Sequence, residues 1–106
     1  MASGFNGQEF TFHGYAPKDR KDRIRFINKL EQKVEKTGST EIFMETPFRN
    51  THVLEDLLSN LKNSTQLCIG KEVATSNEVI KTKVISDWKK KVPNLQKTPC
   101  IFIIGR

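Results

Sequence analysis

Cysteine is scarce in this chain, with two among 106 residues. Cys68 and Cys100 stand 32 positions apart, a spacing that matches neither a CxxC pair nor any zinc-ligand pattern. Each lies inside an apolar run, so buried free thiols are the plain reading and a disulfide the alternative. Long hydrophobic runs are missing too. No stretch approaches the ~20 apolar residues of a membrane-spanning helix. The first residues, Met1 to Gln8, carry neither a basic n-region nor an apolar h-region, so no signal peptide is expected. A reducing cytoplasm is therefore the default location. Familiar catalytic signatures are absent as well: there is no Walker loop, GxSxG, HExxH or GxGxxG. His13 and His52 are isolated and read as surface or helix residues, so no metal site is expected. Glu72 and Glu78 are close enough to pair, but nothing gives them an acid–base role, and no catalytic residue is assigned.

What is present is a single small domain, residues 1–106, with no linker, repeat or low-complexity segment. Seven Phe, one Trp and periodic Ile, Leu and Val argue against disorder. Eighteen Lys and Arg against twelve Asp and Glu give a net charge of +6. The excess is uneven: residues 1–36 hold eight basic and five acidic groups, 37–65 two and four, and 66–106 eight and three. A basic surface raises encounter rates with polyanions, so contact with RNA or DNA phosphates is one reading. Ordinary solubility charge on helices is the other, and the Lys89-Lys90-Lys91 run reads as a solvated helix end.

Periodicity supplies the elements. Phe10 and Phe12 alternate with polar residues over Gln8 to Gly14, the pattern of a half-buried strand with both rings in the core; Gly14 and Pro17 break it. Ile24, Ile27, Leu30 and Val34 share one face of a helix over residues 18–36, and Gly38 is its left-handed cap. Thr40 to Glu45 is a strand whose apolar run suits cover on both faces. Asn50 or Thr51 caps a second helix with an apolar stripe of Val53, Leu54, Leu57, Leu58 and Leu61. Gln66 to Lys71 is a third strand and Val79-Ile80 a weaker one near an edge. Val84, Ile85, Trp88 and Val92 suggest a short helix, and Cys100 to Ile104 is the last strand. The order β-α-β-α-β-β-α-β predicts an α/β fold, a mixed open sheet of about five strands with helices packed on it.

Two turns stand at strand ends, where open α/β sheets bind ligands. The first is Glu45-Thr46-Pro47-Phe48-Arg49-Asn50, whose Glu and Arg either bind substrate or bond each other. The second is Gly70-Lys71-Glu72, where Gly70 permits close approach of a ligand or a strand.

These segments, in this order, resemble the C-terminal half of the tetrapyrrole (corrin/porphyrin) methylase superfamily, in the branch of ribosomal RNA small-subunit methyltransferase I. Phe12-His13-Gly14-Tyr15-Ala16-Pro17 matches a Phe-x-Gly-aromatic-x-Pro segment of that branch. Thr40 to Arg49 matches its Thr-x-Ile-Phe-aromatic-Glu-Ser-Pro-His-Arg strand and turn. Lys71-Glu72-Val73-Ala74-Thr75 echoes its Arg-Glu-Leu-Thr-Lys segment, and Pro99 to Gly105 its closing strand. Lys71 in place of Arg, Ala74 in place of Thr and Met44 in place of Tyr are departures.

The resemblance implies a two-domain enzyme that binds S-adenosylmethionine between its domains, with the N-terminal domain absent from this chain. It implies cofactor contacts at Phe43, Met44, Glu45, Gly70, Lys71, Pro99 and Cys100, much of them through backbone, and substrate or turn contact at Arg49. It further implies an RNA substrate, no membrane association and a homodimer. Apolar strand ends exposed by the missing domain, in Ile42 to Met44 and Cys100 to Ile104, also favour association. The fragment alone is expected to be inactive. A non-catalytic basic RNA-binding module, a structural dimerisation domain and a methylase acting on a tetrapyrrole remain the alternatives.

Overall fold

The computed structural model describes residues 10–47, 49–72, 76–95 and 98–105. Gln8 and Glu9 of the expected first strand, Phe48 of the first turn and residues 73–75 of the second lie outside them. Five strands and three helices follow in the expected order: β1 (Phe10–Tyr15), α1 (Arg20–Thr37), β2 (Thr40–Glu45), α2 (Asn50–Asn60), β3 (Gln66–Lys71), β4 (Val79–Val84), α3 (Ile85–Lys90) and β5 (Cys100–Gly105). They form one mixed sheet in the order β1-β2-β5-β3-β4. Only β1 and β2 run parallel; β2–β5, β5–β3 and β3–β4 are antiparallel.

Local chemistry sets the helix ends. Asp19 caps α1, its Oδ2 accepting from the Asp22 amide at 3.3 Å. Gly38 closes it at φ +72°, with its amide on the Val34 carbonyl, as the sequence leads one to expect. The cap expected from Asn50 or Thr51 is not made. Arg49 holds the N-cap position of α2 without a side-chain bond. The buried Asn50 amide is drawn away from the helix, donating to the Leu95 and Thr98 carbonyls.

Strand alternation and register divide the sheet into two unlike faces. One face carries Glu41, Phe43 and Glu45 of β2, Cys100, Phe102 and Ile104 of β5, and Leu67 and Ile69 of β3. All three helices pack here. Phe26 of α1 meets Phe43 edge-on, and Phe43 stacks on Phe102. Trp88 of α3 donates Nε1–H to the Leu67 carbonyl at 2.8 Å. The buried Glu31 ties α1 to the α2–β3 turn by accepting from the Lys62 amide and the Thr65 hydroxyl.

The other face corrects two expectations. It presents Phe10, Phe12, Ile42, Met44, Ile101 and Ile103, and no described helix covers it. Ile42 and Met44 are half-buried, so β2 is covered on one side only. Phe10 and Phe12 are 55% and 57% exposed rather than core, because β1 is the sheet edge and its outward side chains lack a layer above them.

Two boundaries also differ. Gly14, at φ +75°, does not end β1 but sits in a register shift between Phe12 and Tyr15 that carries the strand on to Tyr15. Val92 lies beyond α3 and is exposed, since the helix stops at Lys90 ahead of Pro93. β4 is an edge strand, as its polar flanks suggest.

Candidate functional site

At one end of the sheet the C-terminus of β2 meets the N-terminus of β5, paired through Glu45 and Cys100. A cavity of about 560 Å³ opens there. Its walls are Tyr15, Met44, Pro47, Pro99 and Ile101, with Glu45, Thr46, Glu72 and Cys100 among them. Tyr15 arrives because β1 runs parallel to β2 and pairs it with Met44. Pro99 and Cys100 are held in place by Asn50, whose Nδ2 reaches the Thr98 carbonyl and lies 3.7 Å from Cys100 Sγ.

Glu45 is the main polar feature. Its Oε1 accepts from the Thr46 amide at 2.8 Å and lies 3.4 Å from Arg49 Nε. Among the described residues its Oε2 is buried without a hydrogen-bond partner, and so is the neighbouring Thr46 Oγ1. A carboxylate oxygen and a hydroxyl, both unmatched among the described residues, thus lie buried at the wall of this cavity, where a polar atom left unpaired costs about 1–3 kcal/mol. Glu72 stands at the rim with φ +49°, a left-handed backbone that non-glycine residues adopt rarely and that concentrates at functional sites. Two carboxylates and no basic side chain line this cavity among the described residues.

Of the expected cofactor residues, Met44, Glu45, Pro99 and Cys100 converge here. Phe43 is fully buried on the helix face, stacked on Phe102, so its side chain is out of reach. Gly70 is buried within β3, and Lys71 lines a different groove, on the helix face of the sheet. Arg49 is half-buried and bonds Glu45, which is one of the two roles open to that pair. Tyr15, Glu72 and Ile101 also line the cavity, outside the residues expected at the site. Only the pairing of β1 with β2 and the close of β3 beside β5 bring them to the cavity.

Cys100 and Cys68 are both free and buried. They occupy opposite faces of the sheet, so they do not bridge. Burial raises both thiol pKa values; a side-chain bond partly offsets it in each, from Asn50 at Cys100 and Thr82 at Cys68. Neither is primed as a nucleophile. No described group of three or more His, Cys, Asp or Glu side chains could hold a metal ion, and no described helix is long and apolar enough to cross a membrane.

No family model matches the chain. Curated relatives do. The chain is 26% identical over 106 residues to ribosomal RNA small subunit methyltransferase I of Buchnera aphidicola subsp. Schizaphis graminum, covering 97% of the chain and 36% of that protein. It is 27% identical over 109 residues to the protein of the same name from Vibrio cholerae, covering 97% of the chain and 35% of the relative. The chain thus spans about a third of the length of the curated relatives it matches. Among solved structures, the methyltransferase CobJ superposes with a TM-score of 0.59 at 18% identity, over 99% of this chain and 44% of that one. The cobalt precorrin-4 methyltransferase CbiF superposes at 0.56 with 10% identity, over 93% and 41%. The motifs, the strand order and these matches agree: the chain is similar in sequence to ribosomal RNA small subunit methyltransferase I proteins and shares the fold of the methyltransferases CobJ and CbiF.

Proposed function

We propose that this chain is the C-terminal, cofactor- and substrate-facing domain of an S-adenosylmethionine-dependent methyltransferase acting on RNA. The observation that carries the reading is the acidic cavity at the ends of β2 and β5, with its unmatched Glu45 Oε2 and Thr46 Oγ1. S-adenosylmethionine offers what those atoms lack: N–H and O–H donors, together with a cationic sulfonium beside two carboxylates. Met44, Pro47, Pro99 and Ile101 suit its apolar surface. When bound, the cofactor supplies an electrophilic methyl group. This chain contributes alignment, charge and water exclusion. Arg49, braced on Glu45, is the proposed contact for the substrate. The relatives' names support ribosomal RNA as the proposed acceptor, and a cytoplasmic location is part of the same proposal.

The open sides of the cavity are the proposed place of an N-terminal domain, consistent with relatives about three times longer. The chain alone therefore binds S-adenosylmethionine weakly, with Kd about 1 mM or above. Titration of the isotope-labelled chain followed by nuclear magnetic resonance is expected to shift the amides of residues 44–46 and 100–101. Glu45→Gln, which removes the charge facing the sulfonium, abolishes those shifts. Saturating ligand that leaves these amides unmoved would refute the cofactor reading. Methyl transfer to RNA by the 106-residue chain alone would refute the half-cleft reading.

We also propose that two copies associate through the bare sheet face. None of the residues that β2, β3, β4 and β5 turn to this face carries a charge, so two copies meet there without opposing their net +6. Sedimentation at tens of micromolar protein is expected to give twice the 12.2 kDa chain mass, and to keep it at high salt. A single 12.2 kDa species would reject association.

A further inference from the structure

The lysines of the last third of the chain are not spread evenly over its surface. Lys71 of β3, Lys81 and Lys83 of β4 and Lys91 after α3 line one groove of about 410 Å³ on the helix face of the sheet. The antiparallel register explains the convergence. Lys71 pairs with Val79, so Lys71, Lys81 and Lys83 all point to the same side. The floor is apolar core, Ile69, Trp88 and Leu95, and Val79, Val92 and Pro93 form apolar walls. Among the described lining residues there is no Asp or Glu, and none of the four lysines forms an ion pair with a described carboxylate. Lys83 is held in place by the Trp88 ring, its Nζ 4.8 Å from the ring centroid.

We propose that this groove binds the phosphate backbone of a single strand of RNA. The proposal rests on the methyltransferase reading for the choice of RNA, and it adds the place where the substrate strand runs outside the cofactor cavity. Four ammonium groups without a described carboxylate partner around one concavity are an excess of positive charge that favours a polyanion. Lys81 and Lys83 are two strand residues apart, roughly 6.7 Å, on the same side of β4, so they present a short row of positive charge to one strand's phosphates. The cavity that faces the sulfonium is acidic and this groove is basic, so the two sites take ligands of opposite sign. Trp88 is buried and no other aromatic ring lines the groove, so bases find no exposed stacking platform and recognition rests on phosphate. The apolar walls suit sugar edges between phosphates.

The test is fluorescence anisotropy with a labelled 20-nucleotide single-stranded RNA, titrated with the 106-residue chain over a range of salt. Binding is expected, with the logarithm of affinity falling against the logarithm of salt by about 0.7 for each phosphate neutralised. Lys81→Gln/Lys83→Gln is expected to weaken binding about tenfold at low salt and to reduce the salt slope by about 1.4. Lys29→Gln/Lys36→Gln removes the same charge from exposed positions on α1 and is expected to change affinity less than twofold. Circular dichroism checks the fold, and Lys81→Gln/Lys91→Gln, which leaves the Lys83–Trp88 contact intact, is expected to behave like the first variant. Equal weakening by the α1 pair would mean that net charge alone acts, and would overturn the groove. So would displacement by polyglutamate as effective as by unlabelled RNA of equal charge, or failure of the chain to bind RNA at all. The S-adenosylmethionine shifts at residues 44–46 are expected to survive Lys81→Gln/Lys83→Gln. Loss of the groove and loss of the cofactor reading are therefore separate results.

Discussion

Asp56→Ala is expected to cost about 3–5 kcal/mol of stability, because it strands a guanidinium inside the fold. Arg23 and Asp56 join α1 to α2, each with a side chain only 7% exposed. Arg23 Nε donates to Asp56 Oδ2 at 2.6 Å, and its Nη1 donates to the Lys18 carbonyl at 3.2 Å. Arg20 also approaches the carboxylate, at 3.5 Å, but it is 75% exposed and adds little. Without Asp56 the buried cation keeps, among the described residues, the Lys18 carbonyl as its partner. A domain of this size has only about 5–15 kcal/mol in total, so the variant sits near the unfolding threshold. In urea its midpoint is expected to fall by roughly 2 M, given slopes of about 1–3 kcal/mol per molar. Arg23→Met/Asp56→Leu removes both charges at similar volume and is expected to recover most of the loss. A double variant as unstable as Asp56→Ala would show that shape, and not the unpaired charge, sets the cost.

Nothing in the spacing of α1 announces that pair. Of its expected apolar stripe of Ile24, Ile27, Leu30 and Val34, the last three are buried, because a 3.6-residue period names a buried face, while Ile24 is only half-buried. Arg23 falls on the same face and joins the buried set, but a period cannot say that a basic residue will find a carboxylate on another helix. The strands show the same division. The bounds of β2 and β3 are read correctly from short apolar runs with turn residues beyond them. Which of their faces would be covered is not local information. It depends on the parallel β1-α1-β2 crossover that lays α1 over Phe43 and leaves Ile42 and Met44 on the bare side.

The candidate site was legible in part for a related reason. Met44 and Glu45, with Pro99 and Cys100, stand at strand ends, and the motifs around them are contiguous in sequence. Phe43 lies between Ile42 and Met44 but points the opposite way, since successive strand residues alternate. Its nearness to the site in sequence therefore carries no side-chain access. Lys71 is a similar case, for its side faces the helices and the basic groove. The groove itself was out of reach, because residues 71, 81, 83 and 91 meet only through the β3–β4 register and the return of the chain after α3.

The sidedness of the sheet gives the second large expected effect. Phe43→Ala is expected to destabilise the domain by about 3–5 kcal/mol, the usual loss for a fully buried ring. Phe43 has no exposed surface and is the middle ring of three, edge-on to Phe26 at 5.4 Å and stacked on Phe102 at 5.4 Å. Truncation removes both aromatic contacts and opens a cavity beneath α1 that the rigid sheet and helix cannot close. Phe12→Ala deletes the same ring from the neighbouring strand, one register step away through the Phe12–Ile42 pair. That ring is 57% exposed on the uncovered face, so its loss is expected to cost less than about 1 kcal/mol, an increment set by strand propensity and cross-strand contact. Urea unfolding at low micromolar protein, where association through the bare face is weak, compares the two directly. Equal destabilisation by the two variants would mean that Phe12 is covered in solution, and the one-sided sheet would have to be abandoned. A Phe43→Leu variant separates volume from aromatic contact: it fills most of the cavity, and is expected to recover more than half of what Phe43→Ala loses.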